Sequence, residues 1–157
     1  AGIQLEYIKR LEQRNFVVIG ANNDMYSAYI HQTYEEISRL PNVRFFHSIR
    51  FDYFVCLMNR AQLIVGNSSA GVREAPFLGM QSINIGTRQL GRSQTPSILD
   101  AALDAEAVVN GIEAHWGKRH ARVNLFGEGR ASEGIEKFFN SPQSISILKS
   151  LKRHTFR

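Results

Sequence analysis

The chain has 157 residues, of which 43% are apolar and 21% charged, with a formal net charge of +5. That length suits one domain with its own core, and the composition is ordinary for a soluble globular protein. No apolar run approaches the roughly 20 residues of a membrane-spanning helix, so no membrane partner is expected. The basic excess gathers at one end: no acid follows Glu136, and Lys137, Lys149, Lys152, Arg153 and Arg157 account for all of it. A basic tail of this kind reads as a solvated helix end, so no nucleic-acid partner is expected either. The single cysteine, Cys56, excludes an internal disulfide and fits a reducing, cytoplasmic compartment.

In chain order, residues 2–14 read as an amphipathic helix with Ile3, Tyr7, Ile8 and Leu11 on one face, not as a secretory leader. Phe16-Val17-Val18-Ile19 is a buried strand, followed by a turn from Gly20 to Asp24. Residues 26–39 carry a second helical pattern. It ends at Leu40-Pro41-Asn42, because the residue before a proline is pushed out of the helical region. Val43 to Phe46 is a short strand, His47 to Arg50 its loop, and residues 51–60 a helix with Phe51, Phe54, Val55 and Met58 at helical spacing. Beyond Gly91 the chain reads as irregular to about Leu99. Residues 105–116, 131–139 and 144–151 read as helices, and Gly127-Glu128-Gly129 as a tight turn. Strands alternating with helices predict an α/β fold, a parallel sheet with helices on both faces. No internal repeat or low-complexity linker interrupts it. The chain opens on a helix, whereas a doubly wound unit usually starts on a strand. The expectation is one domain over residues 1–157 of a longer protein, with further chain on its N-terminal side.

The most informative stretch is Leu63 to Arg92, LIVGNSSAGVREAPFLGMQSINIGTRQLGR. An apolar run, Leu63-Ile64-Val65, breaks at Gly66-Asn67-Ser68-Ser69. A helical pattern with Val72, Ala75 and Leu78 follows. Ile83-Asn84-Ile85 is a second strand, opening onto a loop with Arg88 and Arg92. Ligands of open α/β sheets bind outside the carboxyl ends of the strands, and helix starts offer unpaired N–H groups to anions. The expected ligand is therefore an anion between Ser68-Ser69 and Arg88. Each residue also has a plainer reading. Ser68 and Ser69 can be helix caps, worth about 1 kcal/mol. Glu74 can be a first-turn acid favoured by the helix dipole, although a carboxylate also suits a vicinal diol. Arg88 and Arg92 present forks that match phosphate oxygens, and both can also be loop charges. Pro76 requires the helix to kink or to be short.

Other signals are weaker. His47 ends a strand where a ligand could reach it, but a lone histidine is more often structural. His31, His115, His120 and His154 lack metal-ligand spacing, so no metal is expected. Cys56 reads as buried packing. Phe51, Tyr53 and Phe54 read as core and rim, not as a base-stacking platform. Neither G-x-x-x-x-G-K-[ST] nor a G-x-G-x-x-G after the first strand is present, which counts against an ATPase and a nicotinamide enzyme.

Three segments, GNSSAGVREAPFLGMQSINIGTRQLGR, the preceding FDYFVCLMNRAQLIV and the later NLFGEGRASEGIEKFF, resemble the C-terminal domain of UDP-N-acetylglucosamine 2-epimerases. The likeness is greatest to the hydrolysing branch that feeds sialic-acid-type sugar synthesis. It implies a Rossmann-like domain, half of a GT-B-type two-domain enzyme with the UDP-sugar in the cleft between the halves. It further implies UDP contacts from Asn22, Ser48 at the uracil, Ser68 and Ser69 at the diphosphate, Glu74 at the ribose hydroxyls, and Arg88. The catalytic carboxylates belong to the N-terminal half, so no catalytic residue is expected in this chain, which alone would not turn over. No cofactor is implied, and the full-length protein admits a homo-oligomer. The alternatives are another UDP-sugar hydrolase or GT-B glycosyltransferase on the same scaffold, and a non-catalytic nucleotide-binding or interaction module.

Overall fold

A computed structural model of the chain describes residues 2–20, 27–144, 146–147 and 150. It forms two compact units, Ala1–Val123 and Asn124–Arg157. In the first, the elements run α1 (Gly2–Arg10), β1 (Phe16–Ile19), α2 (Ser27–Ser38), β2 (Val43–Phe46), α3 (Phe51–Arg60) and β3 (Leu63–Gly66). A short 3-10 turn (Ser69–Gly71) follows, then α4 (Glu74–Leu78), β4 (Gln81–Ile85), β5 (Ile98–Ala101) and α5 (Ala105–His115). The second unit carries α6 (Ala131–Phe139). Every residue of α6 is exposed, and the described residues of 142–150 are helical.

All strand pairing within the named strands is parallel, β1 with β2 and β3-β4-β5 in that order. Side chains alternate across a strand, so each register pair shares a face. Val65 pairs with Ile83, and on that side Leu63, Val65, Ile83 and Ile85 join Val108 and Ile112 of α5 and Tyr7 and Ile8 of α1 in the main core. Phe16, Val18 and Val43 of the first ladder pack into the same cluster. Burial in this apolar setting pushes the Tyr7 hydroxyl pKa above its ordinary value. On the opposite side, Ile64 packs with Met58 of α3, Ala75 of α4 and Met80. The helices thus cover both faces of the β3-β4-β5 sheet, as the alternating pattern predicts.

Three local expectations are corrected. The irregular stretch after Gly91 contains β5. Its apolar run is broken by Asp100, whose exposed position beside Asn84 hides the strand from a hydrophobicity pattern. The predicted helix after Ser69 is instead a 3-10 turn and the five-residue α4. Pro76 sits in the first turn of α4, where its missing N–H would have had no helical partner. Cys56 is exposed, not buried, because α3 turns Phe54 and Met58 inward and leaves Cys56 on its outer side. Phe51 and Tyr53 are likewise exposed.

Candidate functional site

The site begins where β3 and β4 end. They are neighbours in register, Gly66 opposite Asn84, so the chain leaves both strands on the same edge of the sheet. After β4, Gly86 takes a φ of 74°. This left-handed conformation costs glycine least, and it turns the chain back over the sheet edge. After β3, Ser68 adopts an extended conformation, φ −71° and ψ 145°, and its Oγ accepts the Ala70 N–H at 3.3 Å. Ser68 therefore caps the 3-10 turn, as its plainer reading expects. Gly71 N–H and Val72 N–H close on the Ser68 and Ser69 carbonyls. Among the described residues, no hydrogen bond uses the amide hydrogens of Ser68 or Ser69, or the Ser69 hydroxyl.

The turn lies close against β4. A Cβ on Gly71 would stand 2.6 Å from Ser82 Oγ, so any side chain there would have to displace that hydroxyl. Glu74 opens α4 and is half-buried. Its Oε2 is fully buried and has no hydrogen-bond partner among the described residues. A carboxylate oxygen shut away from water without a donor is costly. Arg73 and Arg88 are exposed, and Arg92 lies exposed in the same loop as Arg88.

Two side chains fasten the Arg88 loop to the serine turn. Gln89 is 3% exposed, and its Nε2 donates to the Asn67 carbonyl at 2.8 Å. Ser93 Oγ donates to the Val72 carbonyl at 3.0 Å. These bonds grip the turn before its first residue and just after its last. Asn84, buried on the same side of β4, donates to Asp100 Oδ1 at 2.6 Å. Sequence reasoning overlooks Gln89, Ser93 and Asn84. A polar residue inside a polar loop gives no sign in the sequence that it faces inward.

Of the residues predicted from sequence, Ser68, Ser69, Glu74 and Arg88 thus fall on one connected strand-end assembly. Ser48 stands exposed after β2, next to His47, whose ring meets Phe45 edge-on with centroids 5.1 Å apart. No described hydrogen bond joins Ser48 to the serine turn. Asn22 lies outside the described residues. A hollow of about 360 Å³ lined by Gln94, Thr95, Pro96, Ile98 and Asp100 borders β5 and contains none of the predicted residues.

The sequence pattern of the UDP-N-acetylglucosamine 2-epimerase family matches residues 4–140. A UDP-N-acetylglucosamine 2-epimerase of Neisseria meningitidis serogroup B is 35% identical over 151 residues, covering 90% of this chain and 39% of that protein. A UDP-N,N'-diacetylbacillosamine 2-epimerase (hydrolyzing) of Legionella pneumophila is 28% identical, over 88% of this chain and 35% of its own length. In three dimensions the chain is similar to a Methanocaldococcus jannaschii UDP-GlcNAc 2-epimerase solved in complex with UDP-GlcNAc and UDP. The TM-score is 0.69 at 16% identity, over 88% of this chain and 38% of that one. At that identity the likeness speaks for the fold. The chain spans well under half the length of each of these proteins.

Proposed function

This chain belongs to the UDP-N-acetylglucosamine 2-epimerase family, and from that premise we propose that it is the UDP-binding C-terminal half of a two-domain hydrolysing enzyme. The observation that carries the reading is Glu74. It is half-buried at the start of α4, three residues after a turn whose Ser68 and Ser69 amides have no partner among the described residues. The half-buried carboxylate of Glu74 suits a vicinal ribose diol, and a diphosphate supplies the acceptors that the turn lacks. Arg88, on the loop fastened to that turn, adds a fork for phosphate oxygens. Ser48 would meet the uracil, and Asn22 would add a polar UDP contact.

In this reading the reaction is an elimination followed by hydration. A base in the other half takes the C2 proton as the C1–O bond to UDP breaks. Water then adds to the glycal with inverted C2 stereochemistry, giving N-acetylmannosamine and UDP. Negative charge grows on the departing diphosphate. Fixed N–H, hydroxyl and guanidinium donors at Ser68, Ser69 and Arg88 stabilise it without reorganising. Glu74 holds the nucleoside, so binding energy far from the reacting carbon serves its alignment. The chain alone would bind weakly, if at all, and would not turn over, because the other half of the cleft and the carboxylates of the elimination lie in the N-terminal half.

Titration calorimetry of this chain with UDP, with uridine and phosphate as controls, tests the reading. UDP is expected to bind more tightly than either control, and Arg88→Ala to weaken it about tenfold or more, the scale of a charge-assisted hydrogen bond. Silence with UDP here and in the full-length protein would sink the reading. A different sugar on the same scaffold is a second reading, favoured by the Legionella relative. Product analysis of the full-length protein separates the two.

A further inference from the structure

The loop after β4 is exposed at Thr87, Arg88, Leu90, Gly91 and Arg92, yet Gln89 in its middle is 3% exposed. Ordering an amide side chain beneath a solvated loop costs conformational entropy and removes a polar group from water. The return is one bond, Nε2 to the Asn67 carbonyl at 2.8 Å. The second amide atom, Oε1, is buried without a partner among the described residues.

The bond has a directional consequence. Among the described residues no peptide is cis, so the Asn67–Ser68 unit is planar and trans. In such a unit the carbonyl and the next N–H point in opposite directions. Fixing the Asn67 carbonyl onto Gln89 therefore fixes the Ser68 N–H on the far side of the peptide plane, and no described hydrogen bond claims that N–H. Ser93, holding the Val72 carbonyl, prevents the other end of the turn from compensating. The loop that carries Arg88 and the turn that carries Ser68 are thereby set in one relation by Gln89, with Ser93 as the second tie.

We infer that Gln89 is a positioning residue for diphosphate recognition. It aims the Ser68 amide and sets the distance between the serine turn and the Arg88 loop, without touching the ligand itself. The inference rests on the reading of this site as a UDP site. It predicts that loss of the Gln89 donor damages recognition of the second phosphate, and not the nucleoside.

The test is titration calorimetry of the chain with UDP and UMP, on wild type, Gln89→Met and Gln89→Leu, with the thermal midpoint measured alongside. Gln89→Met keeps the length and loses both polar atoms. Gln89→Leu also loses both without adding a charge, in a different shape, and so covers the case in which the first variant does not fold. The expected result is a UDP affinity about tenfold lower in the variants, with UMP affinity little changed, so that the preference for UDP over UMP contracts. An unchanged UDP-to-UMP ratio overturns the inference, whether both affinities hold or both fall together with the midpoint, since a purely structural residue would do the latter. If the wild-type chain and the full-length protein bind neither nucleotide, the functional reading fails first and the role of Gln89 goes with it.

Discussion

The two faces of β4 do different things with the same strand. One presents Ile83 and Ile85 to α1 and α5, in the main apolar core. The other presents Ser82 and Asn84, both almost fully buried, toward the serine turn and β5. An apolar face can be rebuilt with other side chains of similar volume, because burial is non-directional. A polar buried face cannot, since every donor and acceptor on it needs a partner in a stated direction. The first face holds the strand in place, and the second decides what the strand end can hold.

The most direct way to break that division is to attack the apolar side. Ile83 is fully buried among α5 and β5 side chains. Ile83→Ala is expected to cost about 2–5 kcal/mol through lost burial and the cavity left behind. Denaturant unfolding reads it directly. Where the variant remains folded, its UDP affinity should stay near wild type. A large loss of affinity in a folded variant would show that the two faces are not separable.

A smaller effect is expected from filling the polar side. Gly71→Ala places a Cβ 2.6 Å from Ser82 Oγ, a contact relieved either by turning the Ser82 hydroxyl in its buried site or by moving the turn. Overpacking of this kind costs about 1–3 kcal/mol. If the turn moves, UDP affinity should fall with stability; if only the Ser82 hydroxyl turns, affinity should hold. The sharper experiment adds Ser82→Ala, which removes the atom that the new Cβ meets. Recovery of both stability and affinity in the double variant, measured as a double-mutant cycle, assigns the effect to this one contact. Additive losses would place its cause elsewhere.

The same contrast explains what could be read from the sequence. Strands β1 to β4 were legible because their inward faces carry Val, Ile and Phe in short runs, and α5 because its apolar residues recur at helical spacing. The serine turn and the Arg88 loop were legible as a strand-end pair, since small residues and arginines at those places have few other uses. β5 was not, because Asp100 interrupts its apolar run and its strand character comes from pairing with β4. Gln89 was not, because its burial is a tertiary fact. Nothing local distinguishes a glutamine that bonds the Asn67 carbonyl from one in water. Cys56 was misplaced for the converse reason: an apolar helix pattern does not say which of two adjacent stripes turns inward.

The smallest expected effect falls on Ser68, and it separates two roles that one hydroxyl can fill. Its Oγ accepts the Ala70 N–H at 3.3 Å, a long bond on an exposed residue. As a cap alone it should contribute about 0.5–1 kcal/mol, at the low end of the usual range. Ser68→Ala should lower the unfolding free energy by that amount, and Ser68→Gly by only a few tenths, as glycine also accepts the cap conformation. If the hydroxyl only caps the turn, UDP affinity should follow stability, and Ser68→Gly should retain most of both. If it also faces the diphosphate, both variants lose affinity alike, because neither has a hydroxyl to offer. The proposed function requires the second pattern. A Ser68→Gly variant that binds UDP like wild type would overturn the hydroxyl's part in that proposal and leave the turn's amides and the Ser69 hydroxyl as its donors.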